Sequence, residues 1–207
     1  SRLLELRKSY DEFVANLDFE FGRLIDHLES RGVLENSFVI FTSDHGEMFE
    51  RGVSGHSNPL VFEPGIRIPL VIHAPGQRER IDVAALTSNV DLLPTIAWIA
   101  GQPVPEWCEG QMLPGLGGVG DPQRSIFVVE AKANPAFGPL RKATLTIMRG
   151  PYKLVRYMGY KNYSDNFECY DLENDPEELQ DLGLDHPVAR ELRLELDARL
   201  DEVNRDI

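Results

Sequence analysis

Positive charge is in short supply in this sequence. Its 207 residues carry 21 Lys and Arg against 34 Asp and Glu, a net charge of −13. That balance argues against a nucleic-acid partner, whose phosphates would be repelled, and against docking on an anionic membrane surface. It also disfavours large polyanions as substrates unless a local basic patch exists. Cysteine is scarce too. Cys108 and Cys169 lie far apart in no CxxC pattern, so neither a zinc site nor a disulfide framework is encoded. Two unpaired core thiols are the expectation, with a single bridge left open. No apolar run is long enough to span a bilayer, and the opening "SRLLELRKSYDEF" lacks the apolar centre of a signal peptide. There is no GxSxG elbow and no P-loop, so no nucleophile or phosphate cradle of those kinds is present. Composition leaves the compartment open.

What is present is an ordinary core-forming chain, 42% hydrophobic and 27% charged. From Tyr10 to Arg31 the apolar residues Phe13, Val14, Leu17, Phe21, Leu24, Ile25 and Leu28 fall at helical spacing, and Gly32 is placed to end that helix. "SFVIFTS" (Ser37–Ser43) and "IPLVIHAP" (Ile68–Pro75) are apolar nearly throughout. Such runs suit strands covered on both faces, as in a parallel sheet. "NVDLLPTIAWIAG" (Asn89–Gly101) predicts a helix with Pro94 in its first turn and Gly101 at its end. "SIFVVEA" (Ser125–Ala131) is a third strand. Alternating helices and buried strands predict an α/β sheet. Beyond Pro139 the pattern changes. "ATLTIMRGPYKLVRYM" alternates around Gly150-Pro151 and predicts an antiparallel hairpin. "FECYDL" (Phe167–Leu172) adds a strand. Leu192, Leu196, Leu200 and Val203 give the tail an amphipathic helix. The predicted division is therefore 1–138 in an α/β domain and 139–207 in a small antiparallel subdomain with a closing helix.

The stretch "FTSDHGEMFERGVSGHS" (Phe41–Ser57) concentrates Asp44, His45, Glu47 and His56 just past a predicted buried strand. In open α/β sheets ligands bind outside the carboxyl ends of strands. Asp44 and His45 could reach one ion if the chain turns at Gly46, and a carboxylate with an imidazole suits several divalent metals. Two ligands do not close a site, so others would have to come from elsewhere. The plainer reading is an exposed loop in which Asp44 caps a following helix. His56, in a glycine-containing loop, could bind an anionic group or protonate a leaving oxygen; equally it could have no role. His27, His73 and His186 read as structural or solvent-facing. Asn162-Tyr163-Ser164 has the form of a glycosylation acceptor.

Taken in order, these motifs resemble the C-terminal part of a sulfatase, in the alkaline phosphatase superfamily. "ENSFVIFTSDHGEMF" is similar to that family's strand and metal loop. "GHSNPLVFEPGIRIPLVIHAPG" is similar to its next segment, "SNVDLLPTIAWIAGQPVP" to its Asp-Leu-x-Pro-Thr helix, and "GPYKLVRY" with "CYDLENDPEELQDL" to its closing hairpin and tail. The resemblance covers the chain from about Tyr10 onward. It implies a part of an alkaline-phosphatase-like sheet flanked by helices, followed by a small antiparallel sheet. It implies that Asp44 and His45 are ligands of a divalent cation, usually Ca2+, and that His56 contacts the sulfate and its leaving oxygen. Glu63 and Arg67 belong to the motif as loop-shaping residues. The implied nucleophile is a formylglycine made from Cys or Ser in a Cys/Ser-x-Pro/Ala-x-Arg motif, acting on a sulfate-ester substrate.

That nucleophile motif is missing here, as is a match for the family's paired N-terminal acidic ligands. The expectation is a fragment of a larger enzyme, beginning inside the catalytic domain, inactive alone and prone to self-association through exposed sheet edges. Two alternatives stay open: a phosphate or phosphonate ester hydrolase or phosphoryl transferase of the same superfamily, and a non-catalytic binding domain on the same fold. Substrate selection is expected from loops including Val119–Gly138.

Overall fold

The computed structural model describes residues 2–49, 51–56, 59–132, 134, 138–162 and 166–205. Tyr163 and Ser164 of the glycosylation-type triplet, and part of the loop at 119–138, fall outside them. The chain forms two compact units, Ser1–Asn58 with Pro64–Ile81, and Pro59–Glu63 with Asp82–Ile207.

In the first unit, helix α1 spans Arg2–Ser30 and so starts well before the predicted Tyr10. Gly32 ends it at φ +64. The N–H groups of Gly32 and Val33 donate to the carbonyls of Glu29 and Leu28, the paired bonds of a glycine-capped helix exit. The apolar stripe is used unequally. Phe21 sets its ring on Phe41, centroids 4.8 Å apart. Phe21 and Ile25, with Leu34, Val39, Phe41, Val71 and His73, line a cavity of about 150 Å³. Phe13 and Leu17, further up the helix, remain exposed. Strands β1 (Val39–Thr42) and β2 (Leu70–His73) pair antiparallel, Val39 opposite His73 and Thr42 opposite Leu70. The parallel arrangement suggested by their apolar runs is not what these two strands adopt toward each other. An apolar run carries no information on the direction of the neighbour.

The second unit begins with helix α3 (Leu92–Ile99), entered through a 3₁₀ turn at Asn89–Asp91. (Helix α2 is the single turn Glu63–Ile66.) Pro94 lies in the first turn of α3, where its missing N–H costs nothing. Gly101, at φ +64, ends the helix as predicted. Four strands follow, β3 (Ser125–Glu130), β4 (Ala143–Arg149), β5 (Tyr152–Met158) and β6 (Asn166–Asp171), paired in that order and all antiparallel. β3, grouped by the sequence pattern with the α/β strands, is thus the first strand of the antiparallel sheet. Gly150-Pro151 makes the tight turn between Arg149 and Tyr152. With φ +56 at Gly150 and a proline after it, this is the glycine-first hairpin turn that matches strand twist.

Side chains alternate across a sheet, and here the two faces differ in chemistry. On one, Ala143, Leu145, Ile147, Leu154 and Cys169 pack with Ala189, Leu192 and Leu196 of helix α4 (Pro187–Arg205) into the unit's apolar core. Both cysteines are unpaired, Cys169 buried in that core and Cys108 half-buried. On the other face Thr144, Thr146, Lys153 and Tyr157 are equally buried yet polar. The segment Pro59–Glu63 is bound to this face. Thr144 Oγ1 donates to the Pro59 carbonyl at 2.5 Å, and Lys153 Nζ donates to the Val61 carbonyl at 2.7 Å. The same ammonium lies 2.7 Å from Glu178 Oε1 and 3.3 Å from Glu63 Oε1. The Glu63 N–H donates to Glu178 Oε2 at 2.8 Å. Glu178 holds this position at φ +55, a left-handed conformation that is uncommon for a residue with a side chain. Beside it, the hydroxyls of Tyr157 and Tyr170 both donate to Glu168 Oε2.

Candidate active site

The site residues all belong to the first unit, in the segment that leaves β1. The chain turns at Gly46, whose N–H donates to the Gly65 carbonyl at 2.9 Å. A Cβ at Gly46 would stand 2.1 Å from the Pro64 carbonyl oxygen, so only glycine allows the two backbones to meet this closely. Two residues on, Met48 and Gly55 form an isolated antiparallel bridge, with N–H···O bonds of 3.4 and 3.1 Å. Met48 is buried, and Gly55 takes φ +96. The bridge closes residues 49–54 into a loop. It therefore places the residues just outside it, Glu47 and His56, opposite one another.

His56 Nδ1 lies 2.7 Å from Glu47 Oε2. The His56 ring stacks on that of His45, centroids 3.9 Å apart and planes 25° from parallel. His45 Nδ1 lies 2.8 Å from the Gly46 carbonyl oxygen. A carbonyl only accepts, so Nδ1 carries the proton and Nε2 keeps its lone pair. That Nε2 is 3.6 Å from Asp44 Oδ2. Asp44 does not cap a helix, because none follows it; its Oδ1 accepts the N–H of His45 at 3.0 Å. This bond holds the Asp44 carboxyl below the usual carboxylate range. Asp44 is the most open of the group, with 87% of its side chain exposed, whereas Glu47 is 22% exposed.

The three residues singled out from sequence, Asp44, His45 and His56, are thus neighbours. Glu47 joins them. Sequence reading noted its ligand chemistry but gave it no partner; the signal was the symmetric placing of Glu47 and His56 around a glycine-containing loop. One donor atom each from His45, Glu47 and His56 lies within 4.8 Å of the other two. Chemically the group offers an unprotonated imidazole nitrogen, two carboxylates and a second imidazole bonded to one of them. Such a set can ligate a cation and hold or deliver a proton beside it.

Other polar residues that organise the chain were not read from sequence. Asp91 is fully buried and accepts two bonds from Arg124, at 2.7 and 2.6 Å. It also accepts the N–H groups of Ser88 and Gln111. Burial pushes its carboxyl up, but Arg124 and the two amides outweigh that and hold it below the ordinary range. Thr95 Oγ1 donates to the Asp91 carbonyl and accepts from the Leu113 N–H. The Asp and Thr of "DLLPT" are therefore structural.

Comparison with known proteins agrees with this reading of the motifs. The sulfatase family model matches residues 2–102, and the model described as N-sulphoglucosamine sulphohydrolase, C-terminal, matches residues 56–206. The chain is similar to a choline-sulfatase of Rhizobium meliloti (strain 1021), 34% identical over 182 residues that make up 86% of this chain and 33% of the relative. It is similar in structure to BT4656, solved in complex with its substrate D-glucosamine-2-N,6-O-disulfate, with TM-score 0.67, 28% identity and coverage of 93% of this chain and 39% of the other. It is also similar to the phosphonate monoester hydrolase SpPMH from Silicibacter pomeroyi, with TM-score 0.71, 26% identity and coverage of 92% and 39%. The chain spans 33% of the choline-sulfatase and 39% of each of the two solved proteins. With the N-sulphoglucosamine sulphohydrolase C-terminal model matching more than half of its residues, the sulfatase model matching 2–102 and the motifs in family order, the chain belongs to the sulfatase family.

Proposed function

We propose that this chain contributes part of the active site of a metal-dependent sulfuric ester hydrolase, and that Asp44 and His45 bind the metal while His56 acts on the substrate. The observation that carries this is the stacking of His56 on His45, with Asp44 beside His45, at the base of one bridged loop. The residues fit a divalent cation. Asp44 is held ionised, and His45 presents Nε2 on the side of Asp44 Oδ2 because Nδ1 is committed to Gly46. Ca2+ is the proposed ion, its oxygen ligands completed by acidic groups elsewhere in the parent enzyme. When bound, it supplies positive charge to the oxygens on which negative charge develops. Asp44 and His45 then orient that charge. His56, with Nδ1 fixed on Glu47, turns its other nitrogen outward to hydrogen-bond a sulfate oxygen or to protonate the leaving oxygen. The nucleophile is proposed to be a formylglycine outside these residues, which makes the isolated chain inactive. We propose that the antiparallel subdomain begins at β3 (Ser125), ahead of the boundary expected at residue 139, because β3 pairs with β4, and that self-association runs through open strand edges.

The test is turnover of an aryl sulfate by the parent enzyme. Asp44→Asn and His56→Gln are each expected to lower kcat/KM by about 100-fold or more, and chelation should abolish activity until Ca2+ is restored. A second reading, phosphonate or phosphate ester hydrolysis, is favoured by the likeness to a phosphonate monoester hydrolase. Faster turnover of an aryl phosphonate than of the matching sulfate would select it, and turnover of neither would leave the binding-domain reading.

A further inference from the structure

We infer that His45, Glu47 and His56 form a second cation site, specific for a borderline transition ion such as Zn2+, that competes with the catalytic use of His56. Both sites use the one free nitrogen of His45, so the two ions exclude each other there, and the inhibitory consequence rests on the sulfatase reading given above. The argument begins with the donor set. Two imidazole nitrogens and one carboxylate oxygen make a poor cage for Ca2+, which takes six to eight oxygens. The same set is a usual ligand group for Zn2+, as three protein ligands leaving one position open.

The geometry is close to what such an ion needs. In a tetrahedral site, donor atoms bound to Zn2+ at roughly 2.0–2.2 Å stand about 3.3–3.6 Å apart. Here the three donors lie within 4.8 Å of one another, so closing the set needs each to move by roughly 1 Å and the exposed, stacked rings of His45 and His56 to tilt apart until their in-plane lone pairs meet at one ion. The framework supports this. His45 has Nδ1 tied to the Gly46 carbonyl, which fixes the ring and leaves Nε2 as the ligand, the arrangement in which a backbone oxygen orients a metal-binding histidine. Glu47 and His56 are held opposite each other by the Met48–Gly55 bridge. His45 thus has two neighbours, Asp44, whose Oδ2 is 3.6 Å from its Nε2, and the Glu47–His56 pair, whose imidazole stacks on its ring. A hard, oxygen-seeking ion is drawn to the first and a nitrogen-seeking ion to the second. Once a transition ion holds His56, that side chain is withdrawn from the sulfate.

The experiment uses the 207-residue chain and the metals themselves, and reads binding instead of turnover. Zn2+ is titrated calorimetrically, and Co2+ replaces it as a spectroscopic probe whose visible bands report nitrogen coordination. Expected are one equivalent bound, no displacement by millimolar Ca2+, and affinity at least about tenfold weaker in both Glu47→Gln and His56→Gln. Asp44→Asn is expected to stay within about threefold of the parent sequence, since a half-unit change in log affinity is within ordinary mutational scatter. All four proteins are checked by circular dichroism. The inference is overturned if Glu47→Gln and His56→Gln bind as tightly as the parent sequence, if Asp44→Asn loses binding instead, or if Ca2+ competes freely. None of these outcomes depends on sulfatase activity, so a failed turnover assay in the parent enzyme and a failed Zn2+ site remain separate results.

Discussion

Replacing Lys153 by methionine tests the polar face of the antiparallel sheet directly. The ammonium has no solvent exposure, Glu178 has a side chain 1% exposed and Glu63 one 12% exposed. Methionine keeps much of the volume but removes the charge and the donor to the Val61 carbonyl. Two carboxylates are then left without their cation in a dry layer. Breaking a buried pair on one side costs about 3–5 kcal/mol, far more than an exposed ion pair contributes. For a chain of this size that corresponds to a fall in Tm of roughly 6–20 °C. Urea unfolding followed by tryptophan fluorescence is the assay, since both tryptophans, Trp98 and Trp107, lie in the same compact unit as Lys153. Neutralising the carboxylates as well, in Lys153→Met with Glu63→Gln and Glu178→Gln, should recover most of the loss, because a fully neutral cluster no longer buries a charge. A single variant within about 1 kcal/mol of the parent sequence, or a triple variant no better than the single, would refute the reasoning.

Two further outcomes follow from buried groups. Asp91 is held below the ordinary carboxylate range by Arg124 and two amides against the opposing effect of burial. Its stabilising contribution is therefore complete above its unfolded pKa of about 3.9 and is lost as pH falls through its lower folded value. Asp91→Asn should flatten the decline of the urea midpoint below pH ~4, and an unchanged decline would count against that assignment. For the thiols, burial and then the charges of Asp181 and Asp171 push Cys169 up to about 11, while Cys108 is only half-buried. A thiol reagent at mildly alkaline pH should label Cys108 alone in the native chain and both after denaturation; labelling of native Cys169 would show that the core opens.

The fold was readable where one residue type has one physical consequence. Gly32 and Gly101 end their helices at positive φ, Gly150-Pro151 turns the hairpin, and the leucines of the tail meet the sheet through Leu192 and Leu196. Strand direction was not readable. "FVIFT" and "LVIH" read as strands covered on both faces, whereas no residue of β1 or β2 is fully buried and Val71 is exposed, and an apolar run does not state the direction of its neighbour. β3 was assigned to the wrong neighbours for the same reason. At the site, Asp44, His45 and His56 stood out because their chemistry is concentrated after a strand, but the pairing of Glu47 with His56 comes from a backbone bridge at Met48 and Gly55. Lys153 was overlooked because a lysine within an alternating strand reads as solvent-facing. The face it occupies is covered by Pro59–Glu63, a segment with no periodic signal.

The Met48–Gly55 bridge also separates two kinds of change. Residues 51–54 lie inside the clasped ends, so a longer loop there leaves Glu47 and His56 facing each other while Phe49 stays packed on Tyr10. Doubling a flexible loop costs only about 0.6 kcal/mol of closure entropy. The clasp therefore makes this loop a site where new sequence can be inserted, by evolution or by design, next to an unaltered constellation of ligands.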